Sequence, residues 1–426
     1  MESTISSRKG VVYALKKVIA VIGGGASGLM CALSAAVASQ ERVKVLVMER
    51  KDRIAKKILA TGNGRCNLTN MQTQLSNFHG ADISFADFAI ENFSPRHTVD
   101  FFNNLGLMCR EEYGGRVYPY CEQASAVVDV IRNEIERLNI EIITNCEVEA
   151  VTKRGEIFEI RGSKTFEADK VVVSTGGSAS CALGSNGSGF KILKQLGHSI
   201  NKPVPALVQL KTENSMTKSL KGIRVNAVIK AFYKNVQVAQ ERGEILFTDY
   251  GLSGTAVLQL SGILYEYKVD YVAVDFFPDY LENELVELMK LRSKKMAHLT
   301  MENFLVGTVS KKVGYVLIKK SGIEKLNMPV SLLEDAQINK LCATMKNMDL
   351  KVITHNGFDN AQVTAGGAKT SEFNDNTLES KIVKGLYATG EVMDIFGDCG
   401  GYNLQWAWST GYLAGVSAAN TFLKKG

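Results

Sequence analysis

The sequence predicts an α/β protein: a domain built on a parallel sheet, interrupted by an insertion with a β-barrel-like part and a small helical part. Three observations predict it. Residues 18–28 read VIAVIGGGASG and continue as LMCALSAAVAS, so an apolar strand pattern breaks into a glycine turn and resumes as a helix. A second apolar run, VKVLVMER, follows at once and ends in the acidic Glu49. From about Gly197 the pattern alternates, then turns helical, before glycine turns return near the C-terminus.

Gly23, Gly25 and Gly28 have the G-x-G-x-x-G spacing of a dinucleotide-binding turn. In such a Rossmann-like unit the first glycine permits the tight turn. The second admits a pyrophosphate, and the third lets helix pack on strand. Phosphate charge then meets the free N–H groups and positive dipole end of the helix. Lys16 and Lys17 before an apolar run also resemble a signal peptide or a marginal membrane span. Three consecutive glycines fit poorly inside either helix. Glu49 decides between them: an acid about 20 positions past the last glycine is the expected ligand of the ribose hydroxyls. It favours a free 2′-OH over a 2′-phosphate, which it would repel.

At 426 residues the chain has room for two or three domains, and 45% hydrophobic with 22% charged residues is ordinary globular composition. The net charge of +6 comes from scattered lysines and short clusters such as Arg292, Lys294, Lys295. Solvated helix faces explain these better than nucleic acid does. Eight cysteines without a CxxC pair read as reduced thiols, which points to the cytoplasm. Five histidines without HxxxH or HExxH spacing leave no metal centre to expect. Residues 1–14 read as a loose leader before the first strand.

In chain order, residues 55–70 (AKKILATGNGRCNLTN) carry turn chemistry throughout. A polar surface loop is the plain alternative. The loop follows the ribose acid directly, so its amides and Arg65 could bind a pyrophosphate or an isoalloxazine edge. Residues 85–107 read mainly as helix, and YGGRVYPY as a turn. Residues 124–139 form an amphipathic helix through Val127, Val128, Ile131, Ile135 and Leu138. The strand patterns IEIITNCEVEAV, IFEIRG and TFEADKVVVSTGG follow, the last reaching a second glycine turn at Gly176 and Gly177. Val148 sits where such folds touch adenine, or is simply a structural valine.

Residues 197–278 alternate as an antiparallel sheet or barrel, and residues 279–350 read as helices (LENELVELMKLRSKK, LLEDAQINKLCATMKNM). Site chemistry returns in residues 351–426. IVKGLYATGEVMD is a strand ending at Gly390 and Glu391, and Gly400 and Gly401 open a small-residue helix. The positive end of that helix could stabilise negative charge on the N1–C2=O edge of a reduced flavin. A glycine turn opening a core helix, with Trp406 and Trp408 as packing, is the alternative.

VIGGGASGL, ILATGNGRCNLTN, VVVSTGG, PALVQL, GEILFTDYGLSG, VTAGGAK and the block from GLYATGEVMD to GYLAG together resemble the two-dinucleotide-binding-domain flavoproteins. More closely, they resemble the BaiN-like NAD(P)/FAD-dependent oxidoreductases, which include aminoacetone oxidase-like members. The resemblance implies an FAD-binding domain from both chain ends, residues 15–196 and 351–426, around the insertion. It implies cofactor contacts from Gly23, Gly25, Ala26, Ser27, Gly28, Glu49, Arg50 and Lys57. The loop would add Gly62, Asn63, Gly64, Arg65, Cys66, Asn67 and Leu68. Val148, Thr175, Gly176, Gly177, Gly390, Glu391, Gly401, Tyr402, Asn403 and Leu404 complete the set.

The chain departs from that pattern at Ala55 and Lys56, at Ser180, Ala182 and Asn186, and at Thr255. These touch loop rigidity and substrate identity more than FAD binding. The implied function is FAD-dependent hydride transfer between flavin and a small organic substrate or NAD(P)H. An amine oxidase using dioxygen is the alternative. No second glycine fingerprint marks a separate NAD(P)H unit. Arg65 and the helix after Gly401 are expected to stabilise reduced-flavin charge, and Cys66 to contact the ring rather than react. His355 and Tyr402 are candidate bases. An RNA-modifying flavoprotein using the lysine-rich insertion, or a nucleotide-bound protein without catalysis, are readings of other classes. No nucleic acid or membrane partner is expected.

Overall fold

A computed structural model of the chain describes residues 16–40 and 42–423. The expected leader, residues 1–14, and the first residue of the expected FAD-binding segment, Leu15, lie outside them.

Apolar runs with no polar face make strands buried on both sides, and these form the centre of the nucleotide-binding domain. Five parallel strands lie in the order Leu386–Ala388, Lys170–Val173, Lys17–Ile22, Val43–Met48, Glu141–Ile143. One edge strand comes from the C-terminal portion, so both ends of the chain build this sheet. Ala26–Ala38 is the first helix and packs against the last, Tyr402–Leu423. The approach is close because the last helix presents glycines: a Cβ at Gly411 would stand 2.3 Å from the Ser27 carbonyl oxygen, and one at Gly415 2.4 Å from that of Cys31.

The insertion is a closed six-stranded antiparallel barrel with helices on it. Around the barrel run Leu210–Thr212, Gly251–Ser253, Val236–Phe247, Arg224–Tyr233, Tyr271–Asp275 and Met348–His355, which pairs back to the first. Val236–Phe247 (VQVAQERGEILF) runs as one continuous strand of 12 residues. The helices Glu282–Lys295, Lys311–Lys320 and Asp335–Lys346 interrupt the barrel before its closing strand and share its core. The boundary expected at residue 350 falls inside that strand, which pairs with both barrel neighbours. TFEADKVVV divides at Asp169 into Thr165–Ala168 and Lys170–Val173, which belong to different sheets. Among the described residues no helix is long and apolar enough to cross a membrane.

Candidate active site

The three fingerprint glycines hold the geometry their spacing predicts. Gly23 has φ +111°, and a Cβ there would meet the Ser174 carbonyl oxygen at 2.4 Å. A Cβ at Gly28 would stand 2.0 Å from the carbonyl oxygen of Gly23, so that glycine seats helix on strand. At Gly25 a Cβ would touch nothing within 4 Å, because the residue faces an open cavity of about 610 Å³. This is within the range of sites that bury small ligands.

Glu49 closes the strand beside this turn. Its Oε2 accepts the Gly24 N–H at 2.9 Å and its Oε1 accepts the Lys51 N–H at 2.8 Å. Each oxygen keeps lone-pair capacity for a ribose hydroxyl. Cys146, Glu147, Val148 and Arg50 line the same end of the cavity. Thr175 and Gly176 also line it, while Gly177 does not and instead crowds the Thr364 side chain, 2.3 Å from where its Cβ would be. Gly390 is likewise packed under Ser27 rather than lining the cavity. Lys57 and Glu391 reach the wall and pair with each other at 2.7 Å.

The other end is built from the loop and the last helix, fastened together by buried polar side chains. Gln405 accepts the hydroxyls of Thr69 at 2.5 Å and Thr98 at 2.9 Å, and donates to the Phe93 carbonyl at 2.7 Å. Trp408 Nε1 donates to the Leu68 carbonyl at 3.0 Å, and Asn70 Nδ2 to the carbonyls of Gly114 and Gly400, both at 3.1 Å. The tryptophans that read as packing also anchor: Trp406 Nε1 donates to the Gly390 carbonyl at 3.1 Å. Gly401, with φ +105°, comes so close that a Cβ would stand 2.6 Å from the Thr69 carbonyl. Gly401, Asn403 and Leu404 therefore present the start of a 22-residue helix to the cavity. Gly62, Asn63 and Asn67 face it from the loop, and Asn67 Oδ1 is buried without a partner.

Several expected contacts lie elsewhere. Arg65 does not line the cavity: it pairs with Glu112 at 2.5 Å and Glu122 at 3.7 Å, its guanidinium 4.0 Å from the Tyr118 ring centroid. Cys66 and Leu68 are fully buried, and burial pushes the Cys66 thiol up to about 12, so it stays protonated and inert. Gly64 stands in open space on the exposed side of the loop. Tyr402 turns its ring edge to Phe78, with centroids 6.4 Å apart. His355 borders a separate cleft with Tyr265 and Tyr271, and its backbone pairs with Leu210 in the barrel. It is no base for chemistry beside the last helix.

Other groups stand there instead. Arg116 and Tyr118, in the stretch that read as a turn, form a strand (Arg116–Pro119) on the cavity wall. Burial raises the Tyr118 phenol, against the lowering pull of Arg116 and Arg65. Asp398 and Cys399 line the wall just before the last helix. Burial would raise the Asp398 carboxyl, but hydrogen bonds from His79 at 2.6 Å and Asn77 at 3.1 Å hold it below its ordinary value. Gln259 also donates to Asp398 and accepts the Cys399 N–H at 2.7 Å. The barrel supplies Arg224, Glu244, Leu246, Thr255 and Leu258. Sequence spacing could not nominate these; YGGRVYPY held the one usable signal, an arginine between aromatics.

The cavity fits a dinucleotide joined to a flat ring. It offers a ribose acid, an unencumbered glycine turn under a helix N-terminus, an unpartnered buried amide oxygen at Asn67, and a second helix N-terminus.

The chain is similar to 3-dehydro-bile acid delta(4,6)-reductase of Clostridium scindens, 42% identical over 94% of this chain and 98% of that protein. It is 30% identical to ribosomal RNA dihydrouridine synthase of Escherichia coli, over 92% of this chain and 95% of that one. Among solved structures, 3-ketosteroid delta1-dehydrogenase from Sterolibacterium denitrificans matches with a TM-score of 0.50, over 95% of this chain and 100% of its own. At 12% identity that is a likeness of fold. With residues 17–417 matching the HI0933-like protein Rossmann domain, the chain belongs to that family and is an FAD-dependent oxidoreductase.

Proposed function

We propose that the protein reduces a carbon–carbon double bond conjugated to a ketone in a small, largely apolar substrate of steroid-acid type. The carrying observation is the 42% identity to a 3-dehydro-bile acid reductase across nearly the full length of both chains. In support, the insertion lines the cavity with Leu207, Leu246 and Leu258 beside the polar Ser253 and Thr255 and the paired Arg224 and Glu244.

Bound FAD supplies two-electron hydride chemistry. Glu49 and the first helix N-terminus would hold the adenosine and pyrophosphate, and the amides at Gly401, Asn403 and Leu404 would hold the flavin end. In the reduction, hydride joins the β-carbon, the π pair passes to the carbonyl oxygen, and a proton joins the α-carbon. The substrate gains two hydrogens, balanced by oxidation of a nicotinamide nucleotide. Tyr118 and Cys399 are the protonated groups on the wall able to give that proton; burial keeps both above their ordinary values.

A second reading is supported by the 30% and 28% identical ribosomal RNA dihydrouridine synthases. Making dihydrouridine also saturates a double bond conjugated to a carbonyl. An oxidase using dioxygen is the third. The purified, FAD-loaded protein is mixed anaerobically with NADH and NADPH, then with a 3-oxo-Δ4 steroid acid. Bleaching by a nucleotide, and recovery of colour with loss of enone absorbance, is the expected result. Recovery only with dioxygen favours the oxidase. Recovery only with uridine-containing ribosomal RNA, weakened by salt, transfers the function to RNA.

A further inference from the structure

We infer that Arg116 is a catalytic residue that binds the carbonyl oxygen of the substrate and stabilises the negative charge it gains as hydride adds to the conjugated carbon. This deepens the reductase reading and rests on it.

Arg65 lies in the loop, and Arg110 and Arg116 in the three-stranded sheet of Thr69–Asn70, Arg116–Pro119 and Cys109–Glu111; two of these three arginines are neutralised. Arg65 pairs with Glu112 and Glu122, and Arg110 pairs with the same two carboxylates. Arg116 lines the cavity, half-buried, with no hydrogen bond or ion pair from its guanidinium among the described residues. A half-buried cation without a counter-ion, facing a ligand cavity, marks where negative charge is to arrive.

Its position selects which negative charge. The guanidinium stands by Gly400, where a Cβ would lie 3.4 Å from Arg116 Nε, in ordinary contact. Arg116 thus stands at the end of the cavity formed by the loop and the last helix, beside Gly400, and not at the glycine turn Gly23–Gly25. The helix N-terminus at Gly401–Leu404 would serve the negative charge of a bound reduced flavin, which would leave the arginine for the substrate. Burial raises Cys399, Tyr118 and Tyr402; the field of Arg116 lowers each, and Asp398 on the same wall adds to the rise of Cys399 and Tyr402. The carbonyl oxygen and the two wall groups able to protonate the α-carbon therefore share one cation. The electron pair that leaves the double bond ends on the oxygen at Arg116, and returns to take the proton at the α-carbon.

The test uses FAD-loaded wild type, Arg116→Gln and Arg116→Lys. R116Q is expected to keep its flavin and its rate of reduction by nicotinamide nucleotide. Its reoxidation by the enone should slow about 100- to 1,000-fold, the usual loss for one oxyanion donor, with partial rescue in R116K. A probe independent of turnover is 4-chlorophenol, whose phenolate mimics the enolate oxygen. Wild type should bind it with a long-wavelength charge-transfer band and an acid-shifted phenol titration, and R116Q should lose both. The inference is overturned if R116Q loses FAD or shifts the flavin midpoint potential while enone reduction persists, since Arg116 then serves the cofactor. Unchanged enone kinetics and phenol binding in R116Q overturn it equally. The reductase reading fails separately: wild type would reduce no enone, while phenolate binding would still depend on Arg116.

Discussion

A methyl group at Gly28 would meet the Gly23 carbonyl oxygen at 2.0 Å, and one at Gly25 would meet nothing. The two substitutions should therefore separate folding from binding. Gly28→Ala forces first helix and strand apart and should cost about 1–3 kcal/mol of stability, as overpacking does. Gly25→Ala should melt like wild type without ligand and lose FAD affinity, since its methyl occupies cofactor space. Apoprotein melting and FAD titration check the pair; equal melting of both variants would refute the assignment. The same scale explains the arginine misjudged from sequence. Arg65 sits in the cofactor loop, but Glu112 and Glu122 hold it outside the cavity, and only the fold brings those carboxylates to it. Arg116, in a stretch that looked like a turn, keeps its charge free.

Among elements, the last helix carries the most. It rests on the first helix through Gly411 and Gly415 and bolts the flavin loop through Gln405 and Trp408. Gln405→Leu keeps the volume but strips the acceptor from the Thr69 and Thr98 hydroxyls, while the Phe93 carbonyl keeps the Ser409 hydroxyl at 2.7 Å. Each buried group so orphaned costs about 1–3 kcal/mol. We expect a lower melting temperature and weaker FAD retention in Q405L, measured by thermal unfolding with and without FAD. Another element answers to pH. His198 is buried and stacked on Phe373, with Nε2 2.9 Å from the Ser380 hydroxyl and Nδ1 3.0 Å from Glu372. Burial lowers its imidazole below the ordinary 6.5. The unfolded chain thus takes up a proton where the folded chain does not. That stability is complete above about pH 6.5 and declines as pH falls through it, by at most about 1.4 kcal/mol per pH unit. Burial would raise the Glu372 carboxyl, but hydrogen bonds from Ser199 and His198 carry it lower, so its contribution too is lost on acidification. Urea unfolding between about pH 7.5 and 5.5 should show this slope, and His198→Phe should flatten it; an unaltered slope would count against His198.

For the whole molecule, the site is a junction. The glycine turn, Glu49 and the facing loop come from the first segment of the chain, the last helix from its other end, and residues of the insertion line the space between. The parallel sheet, the barrel and the helical part were legible because each has its own hydrophobic period, and a period survives in sequence whatever it packs against. The closing barrel strand Met348–His355 was not, because its pairing with Tyr271–Asp275 and Leu210–Thr212 is long-range. For the same reason His355 looked available for chemistry, although the barrel carries it to a different cleft.

From sequence alone came the cofactor class and its anchor: the glycines and Glu49 lie within one strand–turn–helix–strand unit, so local spacing specifies their geometry. Tertiary structure alone decided which side chains line the cavity beside the last helix. Arg116, Tyr118, Asp398 and Cys399 come from distant segments, and whether a charge is free or neutralised depends on neighbours that only folding supplies.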